Sequence, residues 1–223
     1  MKANQLNCRE EHRREEIVEK YNIKLIAYTK LLKGQEKISC AGAKCTNKYY
    51  TFQYENKKDK YDNGSFFCGA EAAKSFIRLA NLEPIKIFNP LSGESAMELD
   101  DDTPSIENST EGTDNSPKDD DFKSKWNATA KQLHTAINLI IVCWDIPIYG
   151  KLARYKADVM KYKYREPFLE RIEFVNDVIA KDKKNRTLTE MVDDLRTDNP
   201  TLKHFNFDLL EGKLTVKGIK SNF

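Results

Sequence analysis

Residues 66–76 read Phe-Phe-Cys-Gly-Ala-Glu-Ala-Ala-Lys-Ser-Phe. An aromatic pair running into Cys68-Gly69 and then into an alanine-rich stretch predicts a short strand over 65–68 and a helix over 69–81. Phe76, Leu79 and Ala80 would form the inner face of that helix. Upstream, KYYTFQY (48–54) alternates as a strand does, and NKKDKYDNG (56–64) is a turn-rich loop ending in Asn-Gly. Earlier still, Ile17, Tyr21, Leu25, Tyr28 and Leu32 recur at steps of three and four before Gly34, so residues 10–33 are expected to form one amphipathic helix. EPIKIFNPL (83–91) is expected to be extended and to pack back on this half.

The second half is helical in pattern. Residues 123–145 place Trp126, Ala130, Leu133, Ile137, Ile140 and Ile141 on one side. A helix over about 148–164 turns Ile148, Leu152, Tyr155, Val159 and Tyr162 inward, and a third follows Pro167. Thr187-Leu188-Thr189-Glu190 is a capping-box signature that opens a fourth. The LTV stretch near the C-terminus suggests a short strand. The fold class expected is α+β: a helix and a small cysteine-bearing strand-and-helix module over 1–93, then a mostly α-helical bundle over 123–223. Between them, residues 94–122 carry 11 acidic residues against one lysine. That composition buries too little apolar surface to offset ordering, so a disordered acidic linker is expected there. The flanking segments are each net +6, so the charge is that of two cationic bodies held apart by an anionic tether.

Cys40, Cys45 and Cys68 stand in the order C-x4-C-x22-C. Thiolates from a tight turn (CAGAKC) and from a helix N-terminus are a common way to bring distant segments onto a zinc ion. Over about residues 38–80 the arrangement resembles the treble-clef-like zinc fingers of the TRASH, YHS and MYM group, with Cys45, the 22-residue spacer, Phe67-Cys68 and Phe76 in register. The resemblance implies a Zn2+ cofactor held by Cys40, Cys45 and Cys68. It departs at Ala72, where the group has its last cysteine. Cys8 or His12, four apart, are candidates for a fourth ligand, and Glu71 or a water would also close the site. The remaining readings are a lost metal over an aromatic core of Tyr49, Phe52, Phe66, Phe67 and Phe76, or thiols that are simply buried. A lost ligand is favoured over a relocated one.

No Walker, dinucleotide-fingerprint, zincin or nucleophile-elbow pattern occurs. An HNH-type nuclease needs histidines on the strand and helix of its treble clef, and residues 46–67 hold none. His134 and His204 read as structural, and Cys143 as a buried thiol. Glu190 with Asp193 and Asp194 reads as a solvated face. The opening segment is charged rather than apolar, and five cysteines fit a reducing compartment, so a cytoplasmic protein without a membrane segment is expected.

The functional reading rests on YGKLARYKADVMKYKYR (149–165). Lys151, Arg154, Lys161 and Arg165 project outward with Lys156 and Lys163 alongside, and Lys183, Lys184 and Arg186 follow the third helix. Such cation density interleaved with tyrosines suits a phosphate backbone, so DNA or RNA is the expected partner of a non-enzymatic protein. The alternatives are a protein-interaction adaptor, of the kind found in bacterial defence or mobile-element systems, and a metal-dependent hydrolase or nuclease.

Overall fold

The computed structural model describes residues 6–92 and 126–223. The acidic linker expected over 94–122 lies outside the described residues. The fold is α+β. Helix α1 (Glu11–Lys20) leads into strand β1 (Tyr21–Lys30), a small hairpin of β2 (Lys37–Ile38) and β3 (Lys44–Cys45), a long hairpin of β4 (Lys48–Asn56) and β5 (Asn63–Cys68), and helix α2 (Ala70–Leu79). The bundle follows as α3 (Ala128–Trp144), α4 (Gly150–Lys161), α5 (Leu169–Ile179), α6 (Leu188–Asp198) and α7 (Asp208–Val216).

The single helix expected over 10–33 is corrected: it stops at Lys20, and the next ten residues are a strand. Tyr21, Ile23 and Leu25 fit a two-residue period as well as a helical one, and YNIKLIAYTK is rich in β-formers. The competing interaction is the ladder with β4, which β1 joins antiparallel from Tyr21↔Asn56 to Lys30↔Lys48. The three-stranded sheet has the order β1-β4-β5. Asn63-Gly64 belongs to β5 and not to the preceding turn. Gly64 faces Tyr54 across the ladder so closely that a Cβ there would lie 2.8 Å from the phenol oxygen.

The register of β1 shifts between Leu25 and Ala27, leaving Ile26 as the extra residue of a bulge. Before the bulge, buried and exposed residues alternate; from Ile26 to Thr29 every residue is buried. The bulge re-aims the strand so that one end serves two cores. One core contains Ile17, Tyr21, Ile23, Phe52, Phe66 and Phe76. The other is helical, built around Leu133, Ile137, Ile140, Ile172 and Leu188, and it takes Ile26, Ala27, Leu32 and Phe88 from the first half.

The two bodies are therefore packed on each other and not held apart. Gln35 donates to the Val142 carbonyl (2.8 Å), the Lys33 amide to Asn199 Oδ1 (2.9 Å), and the Lys203 amide to the Pro90 carbonyl (3.2 Å). Buried Lys37 donates to the Asp145 carbonyl (2.7 Å) at the end of α3 and forms an ion pair with its carboxylate (2.6 Å). Residues 86–90 run along β1, with a parallel bridge between Thr29 and Phe88.

In the bundle, Asn127 caps α3 by accepting from the Ala130 amide (3.1 Å), and Thr187 and Glu190 close the capping box of α6. The strand expected at Leu214-Thr215-Val216 is corrected. It is the last turn of α7, because Leu210 and Leu214, one turn apart, both bury against the bundle. Among the described residues no helix is long and apolar enough to cross a membrane.

Candidate metal centre and basic helix face

The small hairpin β2–β3, the long hairpin β4–β5 and α2 follow one another along the chain, and three sulfurs meet near the Cys40 turn and the start of α2. Cys40 lies in the tight turn of the first hairpin, which Gly42 turns at φ +83°. Cys68 ends β5 just before α2. The third sulfur is that of Cys8, from the segment before α1. The Cys8 amide donates to the Cys40 carbonyl (3.2 Å), and the Cys40 amide to the Phe67 carbonyl (2.7 Å), which holds the three backbones together. Cys8 and Cys40 form a disulfide with Cα atoms 5.4 Å apart, and Cys68 Sγ lies 3.4 Å from Cys40 Sγ.

All three ligand atoms lie within 4.8 Å of one another, and among the described residues this is the one group of three ligating side chains so placed. Zn–S bonds of about 2.3 Å set tetrahedral sulfurs just under 4 Å apart, so this trio, once reduced, fits a metal ion. A metal needs thiolates, so the disulfide and the ligated state exclude each other.

The ligand set expected from the sequence is corrected at one position. Cys45 is not in the cluster. It sits in β3 opposite Lys37, at the far end of the hairpin from the Cys40 turn. His12 is exposed on α1 and faces Glu10 (3.3 Å), so of the two N-terminal candidates Cys8 is the one that arrives. Ala72 is buried in α2, and Glu71 points to solvent. Arg14 stands beside the trio, donating to the Cys8 carbonyl (2.9 Å) and to Ser75 Oγ (2.9 Å). Burial raises the Cys68 thiol well above its ordinary value, Cys45 adds to this, and the Arg14 charge opposes it.

The basic residues do not all lie on one surface. Lys151, Arg154, Lys161 and Arg165 fall at steps of three, seven and four, and all are exposed. The acidic residue between them, Asp158, is engaged by Arg171 (3.1 Å), and Lys151 pairs with Glu170 (3.3 Å). Around this stripe stand Tyr149, Tyr162, Tyr164 and Phe168, 60%, 37%, 52% and 72% exposed, which are four of the nine large apolar side chains so exposed among the described residues. Arg165 lies over the rings of both Tyr162 and Tyr164. Lys183 and Lys184 are exposed and share a groove of about 690 Å3 with Lys151, Tyr149 and Trp144. Lys163 is half-buried.

Two basic residues leave the expected surface. Lys156 is buried and donates to the Ile26 carbonyl at 2.6 Å. The helix faces it inward because 152, 155, 156 and 159 form one side of α4, and the bulge in β1 offers it a carbonyl outside the ladder. Arg186 is neutralised by Asp182 (2.9 Å) and Asp194 (2.6 Å).

The carboxylates considered for a hydrolytic ion are occupied elsewhere. Asp193 pairs with Arg196, Asp194 with Arg186, and Glu190 accepts from the Thr187 amide. Burial pushes the Cys143 thiol up to about 12, which keeps it protonated and unreactive. His134 is buried with Asn138 against it (3.1 Å), and burial holds its ring well below its ordinary pKa.

An α+β protein with a three-sulfur centre and a basic, aromatic helix face is the class these features define. Over residues 6–218 the chain matches the family described as uncharacterised conserved protein UCP028583, and it belongs to that family. No curated protein and no solved structure matches it.

Proposed function

We propose that the chain is a non-catalytic nucleic-acid-binding protein that takes single-stranded DNA or RNA along the outward face of α4. One observation carries the reading: Lys151, Arg154 and Lys161 on α4 and Arg165 just beyond its end are all exposed, and exposed aromatic rings stand before and after the helix. Cations along a line neutralise successive phosphates, and rings beside them stack on unpaired bases without regard to sequence. Tyr149 precedes α4 and Tyr162, Tyr164 and Phe168 follow it, so a strand tracking the helix meets rings as it arrives and as it leaves.

The cysteine centre is a staple in this reading. It sits on the lobe that buttresses α4 through β1, and its sulfurs are buried away from the basic face. In a reducing cytoplasm it would hold Zn2+ on Cys8, Cys40 and Cys68, in the manner of the treble-clef fingers this lobe resembles. Zinc supplies cross-linking and no reactive group there.

Fluorescence anisotropy with a labelled oligo-dT of about 20 nucleotides tests the proposal. Arg154→Glu, Lys161→Glu and Arg165→Glu together are expected to weaken binding by at least about tenfold, because attraction at three phosphates becomes repulsion. Wild-type affinity in the triple variant, or no binding by the wild type, overturns it in favour of a protein partner on the same face.

A further inference from the structure

A cavity of about 610 Å3 lies on the inner side of α4, between the sheet lobe and the bundle. Its polar wall is buried: Lys156 from α4 and His134 and Asn138 from α3 are each more than nine-tenths shielded from solvent. Its apolar wall is formed by Leu25 and Ile26 of β1, Ile85 and Ile87 of the returning segment, and Met160 of α4, with Glu83, Lys86, Lys161 and Lys163 also lining it. This size, with an apolar lining and a few convergent polar groups at a junction of lobes, is that of small-molecule sites.

Lys156 decides what the cavity takes. An ammonium has three N–H donors, and the Ile26 carbonyl receives one of them. Among the described residues no carboxylate contacts this nitrogen. Its near neighbour is the His134 ring, which burial keeps neutral and to which Asn138 is already bonded. A cation this deeply buried is ordinarily paired. Here the missing counter-charge faces a cavity. Burial lowers its pKa to about 7, as expected for an amine whose charge nothing compensates. Lys86, Lys161 and Lys163 line the cavity against one acid, Glu83, so the field inside also favours an anion.

We infer that this cavity binds a small molecule carrying one carboxylate on an apolar body, with the carboxylate seated on Lys156. The apolar body lies against the wall of Leu25, Ile85, Ile87 and Met160. The site shares Lys161 at its rim with the basic stripe but none of Lys151, Arg154 or Arg165, and its test does not rest on the nucleic-acid reading.

Titration calorimetry of the full chain with octanoate and with 1-octanol tests it. The two share an apolar body and differ in the charge. Octanoate is expected to bind one per chain and at least about tenfold more tightly than octanol, the size of a charge-assisted bond. Lys156→Met should bring octanoate down to the affinity of octanol and leave octanol unchanged. Ala157→Phe, an exposed position lining the cavity, should weaken both ligands, and it keeps the test decisive should the lysine variant fold poorly. Equal binding of the two ligands, octanoate binding untouched by either substitution, or no saturable octanoate binding would each overturn the inference.

Discussion

Replacing Cys40 by serine is expected to lower the unfolding free energy by about 3–4 kcal/mol. Cys40 touches both other sulfurs of the trio: it is bonded to Cys8, 32 residues away in sequence, and its sulfur lies 3.4 Å from that of Cys68. Closing a loop of that length removes chain entropy from the unfolded state by roughly this amount. In the reduced chain the same residue would be one of three metal ligands, and losing it would empty the site. Cys45→Ala removes a buried thiol outside the cluster, so it should cost about 1–2 kcal/mol, the ordinary consequence of a small cavity. Urea unfolding of both variants, in oxidising buffer and in reducing buffer with zinc, makes the comparison. A Cys45 variant as unstable as the Cys40 variant would mean that the wrong sulfurs have been grouped.

Stability should also rise with pH through the titration of one lysine. Burial lowers the pKa of Lys156 from its ordinary 10.5 to about 7 in the folded chain. Between those values the unfolded chain holds a proton that the folded chain has released, so the unfolding free energy increases as pH rises across that window. Below about pH 7 both states carry the proton, and the folded state bears the full cost of the buried charge. Above 10.5 neither carries it and the cost is gone.

Other titrating groups face this one: Tyr28 from β1, Glu83 and Lys86 from the returning segment, His134 from α3, and Lys161 and Lys163 near the end of α4. They are retained in Lys156→Met, so the difference between the two pH profiles isolates Lys156. The wild type is expected to gain roughly 3 kcal/mol on the variant between about pH 7 and pH 10. Parallel profiles would show that the amine is solvated in the folded protein.

Several elements were legible because one pattern dominated each of them. KYYTFQY alternates and forms β4; Thr187 and Glu190 cap α6; and the apolar spacing of α3 and α5 has no rival period. β1 was not legible as a strand. Tyr21, Leu25 and Tyr28 satisfy a helix and Tyr21, Ile23 and Leu25 a strand, and the choice is made by β4, a partner more than twenty residues on. The LTV stretch failed for the converse reason: β-branched residues near the terminus stay helical when Leu210 and Leu214 are held by a core.

The site was half legible. Cys68 and Cys40 were marked by their turns, and the strand-to-helix geometry followed from Phe66 to Phe76. Cys8 was only a candidate, since nothing local says that the segment before α1 folds back onto the Cys40 turn; that contact rests on Arg14 and a backbone bond across 32 positions. Cys45 misled because it keeps the spacing of the zinc-finger group it resembles while its strand carries it to the far end of the hairpin. Lys156 reads as a surface residue in sequence because its neighbours in the basic run are surface residues. A helical wheel with 152, 155, 156 and 159 on one face does place it inward, and that signal was present in the sequence.

The most direct test of the proposed function is the salt dependence of oligo-dT binding, for the wild type and for the variant with Arg154, Lys161 and Arg165 reversed. A strand that engages three to four cations should give a plot of log affinity against log salt concentration with a slope of about −2 to −3, shallower in the variant by about 2. A slope near zero, or the same slope in both proteins, would contradict a phosphate-binding face on α4.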